Sequence, residues 1–553
     1  MLSTAIGKVG TNTTESKNLS MRGNFKRENR ETPTTSQGSF FDIWERSENA
    51  SGGTADMHVT GESDESIVPA KLANNDDAES SAESTEERDS AKGNVEQSNS
   101  LRTLGRVKRE SRGLFGVREA ARNSSTLRFT ALLHHIDERM LYESFDALKK
   151  SAAAGIDGVT WSEYEVDLEA NIKDLHDRIH RDAYRAKPAR RSWIPKSDGR
   201  KRPLGIASLE DKLVQQAVRW VLQSIYEQDF LGFSYGYRPG RSQHQALDAL
   251  SVALTSRKVN WILDADLDSF FDTIDHSWLI KFLEHRIGDK RILRLILKWL
   301  HAGVIEDGVW SSSEAGTSQG SGISPLLANV FLHYVFDLWI ESWRRQTGRG
   351  DVIVLRYADD MVIGFEHKAD AIACMEDLQQ RFAKFGLRLN ETKTRLIEFG
   401  RYALERRSNR GERRPETFDF LGFTHQCWKT LAKGWFTVRR ISIAKRMRTK
   451  LAAIKQELRK RRHDGLGDTG RWLGRVVQGW LNYHAVPGNH ERLSQFVEAV
   501  SRLWLQQIRR RSQRHRLPWS RMHQLIRRYL PRPRIIHPYP EQRFRARLAA
   551  RAV

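Results

Sequence analysis

Arg356-Tyr357-Ala358-Asp359-Asp360-Met361-Val362 is the stretch whose reading decides the fold. Ahead of it runs Val352-Ile353-Val354-Leu355 and behind it Val362-Ile363-Gly364-Phe365, both apolar and β-rich. Two short apolar runs joined through a tight turn read as a β-hairpin with paired carboxylates at its tip. Asp is a common turn residue, so two of them between strands favour, by themselves, a plain turn. A second acidic strand end reverses that preference. Trp261-Ile262-Leu263-Asp264-Ala265-Asp266-Leu267-Asp268 runs into Ser269-Phe270-Phe271-Asp272. Two strands ending in carboxylates can converge on a pair of hard divalent cations, which prefer oxygen ligands. Such a site serves phosphoryl or nucleotidyl transfer.

The 553 residues suffice for two or three domains, and the net charge is +22. That charge is unevenly spread. Residues 1–100 hold 10 Lys/Arg against 18 Asp/Glu, a net of −8, so the remainder carries +30. Residues 501–553 contain 15 Arg, no Lys and one acid, Glu541. A folded region this basic points to a polyanion, most often nucleic acid. Only Cys374 and Cys427 are present, which excludes a disulfide framework and a four-cysteine zinc site. His425 lies near Cys427 but lacks the second ligand pair that a zinc site needs. The cysteine usage fits a reducing compartment. There is no 18-residue apolar run, so no membrane-spanning helix is expected. The N-terminus has no apolar signal core, which argues against secretion.

Residues 1–112, rich in Ser, Thr, Glu, Asn and Gly, cannot bury enough apolar area to offset ordering entropy and are expected to be disordered. From about Leu127 the pattern turns helical, with Leu132, Leu133, Ile136, Met140, Leu141 and Phe145 on one side. AGIDGVT (154–160) breaks it, and Thr160 or Ser162 could cap a helix running to about Leu175. Trp193-Ile194-Pro195-Lys196-Ser197-Asp198-Gly199-Arg200-Lys201-Arg202 reads as a hairpin with a basic tip. Arg as a bidentate fork and Lys as a point charge suit a triphosphate, although a basic hairpin alone is more often a general nucleic-acid contact. The glycines of GTSQGSGISPLLAN (316–329) let a base pair or sugar approach the backbone. Beyond 436 the chain is expected to be all-helical, with Ile443, Met447, Leu451, Ile454 and Leu458 on one face. Arg509, Arg510, Arg511, Arg514 and Arg516 would lie on the cationic outer side of that bundle and contact RNA phosphates.

The order of motifs is that of a known family. AGIDGVT (154–160), IPKSDGRKRPLGI (194–206), LEDKLVQQA (209–217), YGYRPGRS (235–242), DLDSFFDTIDH (266–276), GTSQGSGISPLLAN (316–329), YADD (357–360), GLRLNETKT (386–394) and FDFLGF (418–423) stand in sequence. From about residue 130 to the end the chain resembles the bacterial group II intron-encoded reverse transcriptases, or maturases. The resemblance implies an α+β right-hand polymerase, with fingers and palm around an antiparallel sheet over 130–435. A basic, all-α thumb and maturase domain would follow over 436–553, behind the disordered extension 1–112. GWLNYH (479–484) resembles the maturase signature, with His484 where a second Tyr is usual; no catalytic role attaches to it. Relatives that continue into an HNH-type endonuclease carry cysteine pairs missing here, so second-strand cleavage is not expected.

By the same resemblance Asp266 and Asp359 would ligate two Mg²⁺ ions, with Asp360 beside them and Leu267 offering a backbone carbonyl. Lys196 and Arg202 would grip the triphosphate, and Gln319 and Gly320 would line the incoming nucleotide. Phe271 would exclude a ribose 2′-hydroxyl, and Lys393 would assist the departing pyrophosphate. The implied partners are group II intron RNA, a DNA target and primer, and dNTPs, in the bacterial cytoplasm at the nucleoid. The oligomeric state is not legible. Two alternatives stay open: an RNA-binding splicing cofactor without polymerase activity, and a CRISPR-associated reverse transcriptase. Splicing-only relatives lose the palm carboxylates that this chain keeps. The Ser324-Pro325 pair speaks against the diversity-generating class, which carries SQ there.

Overall fold

The structure is a computed structural model describing Leu72–Ala73 and residues 112–544, less 196–200, 307–308, 312–315, 318–319, 413–414, 431–432 and 512–516. The expected disorder of 1–112 therefore lies almost wholly outside the described residues. Helix α1 (Arg112–Asn123) buries Leu114 and Val117 against α2 (Leu209–Asp229). Helical structure thus begins at Arg112, not at about Leu127. Residues 127–128 are extended, and the expected helix narrows to Glu138–Ala147, capped by Asp137. Thr160 caps as expected, in a capping box with Glu163, but its helix stops at Val166 and a second runs from Leu168 to His180.

Strands β1 (Ala189–Pro195) and β2 (Lys201–Ile206) form the expected basic hairpin, whose Asp198-Gly199 turn lies outside the described residues. Helix α3 (Gln243–Ser256) leads to the acidic strand β3 (Trp261–Asp266). Strands β4 (Val304–Glu306) and β5 (Val309–Ser311) extend the basic hairpin into a four-stranded sheet of order β2-β1-β4-β5. Helix α4 (Ser324–Leu332), with Pro325 in its first turn where no N–H is needed, precedes β6 (Val352–Tyr357) and β7 (Asp360–Phe365). Helix α5 (Lys368–Lys384) and β8 (Arg395–Glu398) complete the central antiparallel sheet, of order β8-β3-β7-β6.

Alternation along these strands gives the sheet two apolar faces. Leu263, Ala265, Met361 and Ile363 join the core that includes Val218 of α2, Phe331 of α4 and Phe382 of α5. Ile262, Ile353, Val362 and Ile397 join Leu247 and Leu250 of α3 and the phenylalanines of β9 (Phe418–Phe420) and β10 (Phe423–Lys429). The same period of two puts Asp264, Asp266 and Asp360 on this second face, at the end where β3 and β7 meet.

The stretch after 436 is not all-helical. Phe436–Ser442 is a strand, β11, paired along its whole length with β10, and helices begin only at Ala444. Its Thr437-Val438, with Ile441 further on, suits a strand, which a helical-period reading passes over, and Val438 packs in the palm core. Helices α6 (Ala444–Lys460), α7 (Leu466–His484), α8 (His490–Arg509) and α9 (Trp519–Tyr529) then bury Ile454, Leu458, Val477, Phe496, Val500, Trp504 and Met522 in a core of their own. No helix among the described residues is long and apolar enough to cross a membrane.

Candidate active site

The hairpin pairs Tyr357 with Asp360, leaving Ala358 and Asp359 as a two-residue turn. Ala358 has φ 57°, a left-handed conformation that costs an L-residue about 1–2 kcal/mol and needs support from its surroundings. Two contacts supply it. The Ala358 carbonyl accepts from Arg356 Nη1 at 3.0 Å, and the turn lies flat on Gly236, where a Cβ would stand 2.2 Å from the Ala358 nitrogen. The glycine of the YGYRPG loop is there because no side chain fits under this turn.

Arg356 is wholly buried, and all five of its N–H donors are used. Nε and Nη2 donate to the Asp337 carboxylate at 2.7 and 2.5 Å. Nη1 donates to Asn329 Oδ1 at 2.9 Å as well as to Ala358, and Nη2 also to Ser234 Oγ at 2.7 Å. Asn329 in turn donates to the Gly236 carbonyl at 2.7 Å. One guanidinium therefore ties together the acidic turn, the loop under it and the segment behind α4. Residue patterns did not single out Arg356, Asp337, Asn329, Ser234 or Gly236 for this. The only signals were an Arg inside the quoted stretch and the Asn that closes GTSQGSGISPLLAN, within α4.

Asp266 stands directly opposite Asp360 in the β3–β7 register, and Asp359 lies one residue away in the turn. Lys393 Nζ contacts Asp266 Oδ2 at 2.6 Å, and Arg395 lies 3.4 Å from Asp264. Asp264, more enclosed, is lifted to about 6, first by burial, with Arg395 opposing. The Asp360 carboxyl is lifted to about 7 by desolvation and then by Asp359, Asp266 and Asp264. Because Asp360 keeps contact with solvent, repulsion among carboxylates is the cause that the geometry bears out. Among the described residues no three His, Cys, Asp or Glu side chains already close into a metal cage. That is compatible with Mg²⁺, which is commonly held by one or two carboxylates plus substrate phosphates and water, not by an all-protein cage. The donor set is oxygen only, and its excess negative charge suits hard divalent cations.

Leu267 is bracketed by Asp266 O, which accepts from Asn390 N at 2.8 Å, and Asp268 N, which donates to Arg388 O at 3.0 Å. Facing Leu389 as a non-hydrogen-bonded pair, its own carbonyl points away from that neighbour. Phe271 is half-buried while Phe270 is buried, so Phe271 is the ring nearer solvent. The Phe271 carbonyl accepts from Thr317 N at 2.7 Å, joining it to the small-residue loop. Gly320, with φ 113°, presses on β2: a Cβ there would meet the Gly205 carbonyl at 2.7 Å. The loop expected to line a nucleotide thus abuts the basic hairpin. Arg202 sits in that hairpin opposite Ile194; its side chain, and Lys196 and Gln319 entirely, lie outside the described residues.

In the basic bundle Arg509 is committed: its Nε and Nη2 donate to the Leu517 carbonyl at 3.1 and 2.9 Å. Arg510 is exposed and Arg511 half-buried, and Arg514 and Arg516 lie outside the described residues. The signature residues 479–484 are structural in their contacts. Tyr483 donates to the Leu421 carbonyl at 2.7 Å, and His484 is buried and stacks on Trp480. Cys374 and Cys427 are buried free thiols, and His425 stacks on Phe418.

The family profile for reverse transcriptase (RNA-dependent DNA polymerase) matches residues 194–425. Protein YkfC of Escherichia coli strain K12 is 33% identical over 306 residues, which is 48% of this chain and 80% of YkfC. Group II intron-encoded protein LtrA of Lactococcus lactis subsp. cremoris is 37% identical over 193 residues, 35% of this chain and 32% of LtrA. The match therefore spans most of YkfC but about a third of LtrA. A solved telomerase from Candida albicans overlays with TM-score 0.35 and 13% identity, over 66% of this chain and 65% of that one, too slight an overlap to carry weight. Because the reverse transcriptase match encloses both acidic strand ends, and the relatives include one covered over four fifths of its length and one encoded by a group II intron, the chain belongs to the group II intron reverse transcriptase/maturase family and is an RNA-directed DNA polymerase.

Proposed function

We propose that this polymerase copies group II intron RNA into DNA from a primer 3′-hydroxyl supplied by a DNA target, and also clamps that RNA to assist splicing. The observation that carries the reading is the register of Asp266 against Asp360 with Asp359 beside them, three carboxylates at one end of the two central strands. Asp266 and Asp359 hold two Mg²⁺ ions, with Asp360 and the Leu267 carbonyl in support. Bound there, the ions supply Lewis acidity toward the hydroxyl and countercharge for the triphosphate.

The protein's own groups do the rest. Lys196 and Arg202 grip the triphosphate from the basic hairpin, and Gly320 with Gln319 lines the nucleotide beside it. Phe271, the more exposed of two adjacent rings, closes the space beside C2′ of the incoming sugar and selects dNTPs. Lys393, exposed at the same end and paired with Asp266, serves the leaving pyrophosphate as a cation. The basic bundle after Ala444 supplies the phosphate contacts for RNA. The site of action is the bacterial cytoplasm, at the nucleoid through nucleic acid. A splicing cofactor without chemistry does not need three carboxylates at one strand end, and no observation favours that reading or a CRISPR-associated one.

The test is primer extension with oligo(dT) on poly(A). Asp359→Asn removes one anionic ligand and should lower extension by several orders of magnitude. Stability should hold, because deleting a charge from a repelling cluster relieves the metal-free form. Extension near the wild-type rate would remove Asp359 from the catalytic centre.

A further inference from the structure

We infer that a groove between α6, α8 and the start of α9 accepts one unpaired nucleotide of bound RNA, with its base on an apolar floor and its phosphates on a cationic rim. The inference rests on the RNA-clamp half of the proposed function and names the feature of the RNA that is clamped. The groove measures about 730 Å³, within the range of small-ligand sites. Leu451 of α6 with Ala499 and Leu503 of α8 make the floor, and Trp519 at the start of α9 makes a wall with 41% of its surface exposed. Lys455, Arg502 and Arg510 stand at the rim, and among the described residues no carboxylate lines the groove. Glu498 pairs with Arg502 at 2.5 Å; both side chains are exposed, so the pair is worth little and can yield to a phosphate.

Arg509 has a different task. Its double hydrogen bond to the Leu517 carbonyl holds the chain two residues before Trp519, and so positions the start of α9 against α8. The chemistry of the groove selects its occupant. An apolar peptide would use the floor and leave the cations unpaired, and a continuous duplex would use the cations and leave the floor empty. A nucleotide turned out of a helix uses both, stacking its base on an aromatic ring while its phosphates meet Arg and Lys.

The experiment uses the full chain and three probes: an RNA hairpin with a single-nucleotide bulge, the same RNA with an abasic bulge, and the DNA counterpart of the first. Wild type should bind the bulged RNA about ten-fold tighter than the abasic one, as one base–aromatic stack allows. Trp519→Ala should erase that ratio and Trp519→Phe should keep most of it. Arg510→Gln should weaken both RNAs alike and lower the salt slope by about 0.7–0.9. Primer extension by Trp519→Ala should match wild type, which also reports that the variant folds. Equal affinity of wild type for base and abasic bulges, or a ratio that survives Trp519→Ala, would overturn the groove as a base site. An equal base preference on DNA would overturn its assignment to RNA. Wild type that extends primers yet binds neither RNA would instead overturn the clamp reading on which the groove depends.

Discussion

Replacing Arg356 by Lys keeps the charge under the acidic turn but not the planar fork, and five donors in fixed directions become three on a flexible stem. Asn329, Ser234 and the Ala358 carbonyl cannot all be served, and Asp337 is left buried with a poorer partner. Breaking a buried charged network of this kind costs about 3 kcal/mol or more. Arg356→Lys should therefore lower the urea midpoint and also lower primer extension, because Ala358 loses what holds it in a left-handed conformation. Unchanged extension in a destabilised variant would confine Arg356 to folding. Phe271 sets a separate expectation. Phe271→Ala should open the space beside the sugar and relax discrimination against rNTPs on the order of 100-fold, as steric exclusion of one oxygen allows. A dNTP to rNTP ratio that stays fixed would mean that another residue is the gate.

The three-stranded sheet of β9, β10 and β11 contains a fully buried imidazole. His425 stacks on Phe418 with ring centroids 4.7 Å apart, and burial first, then Arg440, pushes it down to about 3. A folded value below the unfolded one of about 6.5 means that the unfolded chain takes up the proton first as pH falls. This contribution to stability is whole above pH 6.5 and is lost on the way down toward 3, at about 1.4 kcal/mol per pH unit. Between pH 7 and 5 the stability of wild type relative to His425→Phe should fall by about 2 kcal/mol, read from urea melts at both pH values. A difference that does not move with pH would mean that His425 is charged or solvated in the fold.

Across the whole molecule the C-terminal stretch returns to the palm. Phe544 is buried in the core shared by α3, β9 and β10, and Arg543 joins Arg440 on either side of Asp248 of α3, at 3.2 and 2.9 Å. His537 stacks on His244 of α3 at 3.9 Å and meets the Asn482 carbonyl of α7. Basic bundle and palm are therefore fastened by pairs 293 and 295 positions apart, His537 with His244 and Arg543 with Asp248. Phe544→Ala should cost about 3 kcal/mol, the usual loss for emptying a phenylalanine site in a core, measured as a urea midpoint shift. A near-neutral result would mean that 531–544 is not seated on the palm.

What the residues alone determined is local. The acidic hairpin, the strand ending in Asp266 and the basic hairpin were legible because strand periodicity and turn chemistry act over a few residues. The amphipathic helices of the bundle were legible for the same reason. The β11 strand was missed because a helical-period reading passed over its β-branched residues, and only its pairing with β10 fixes it as a strand. That Asp266 meets Asp360, that Gly236 lies under Ala358 and that Arg356 reaches Asp337, Asn329 and Ser234 was decided only by tertiary structure. Up to 122 residues separate those partners, and a buried guanidinium is stable only where every donor finds an acceptor, a condition that no window of sequence contains.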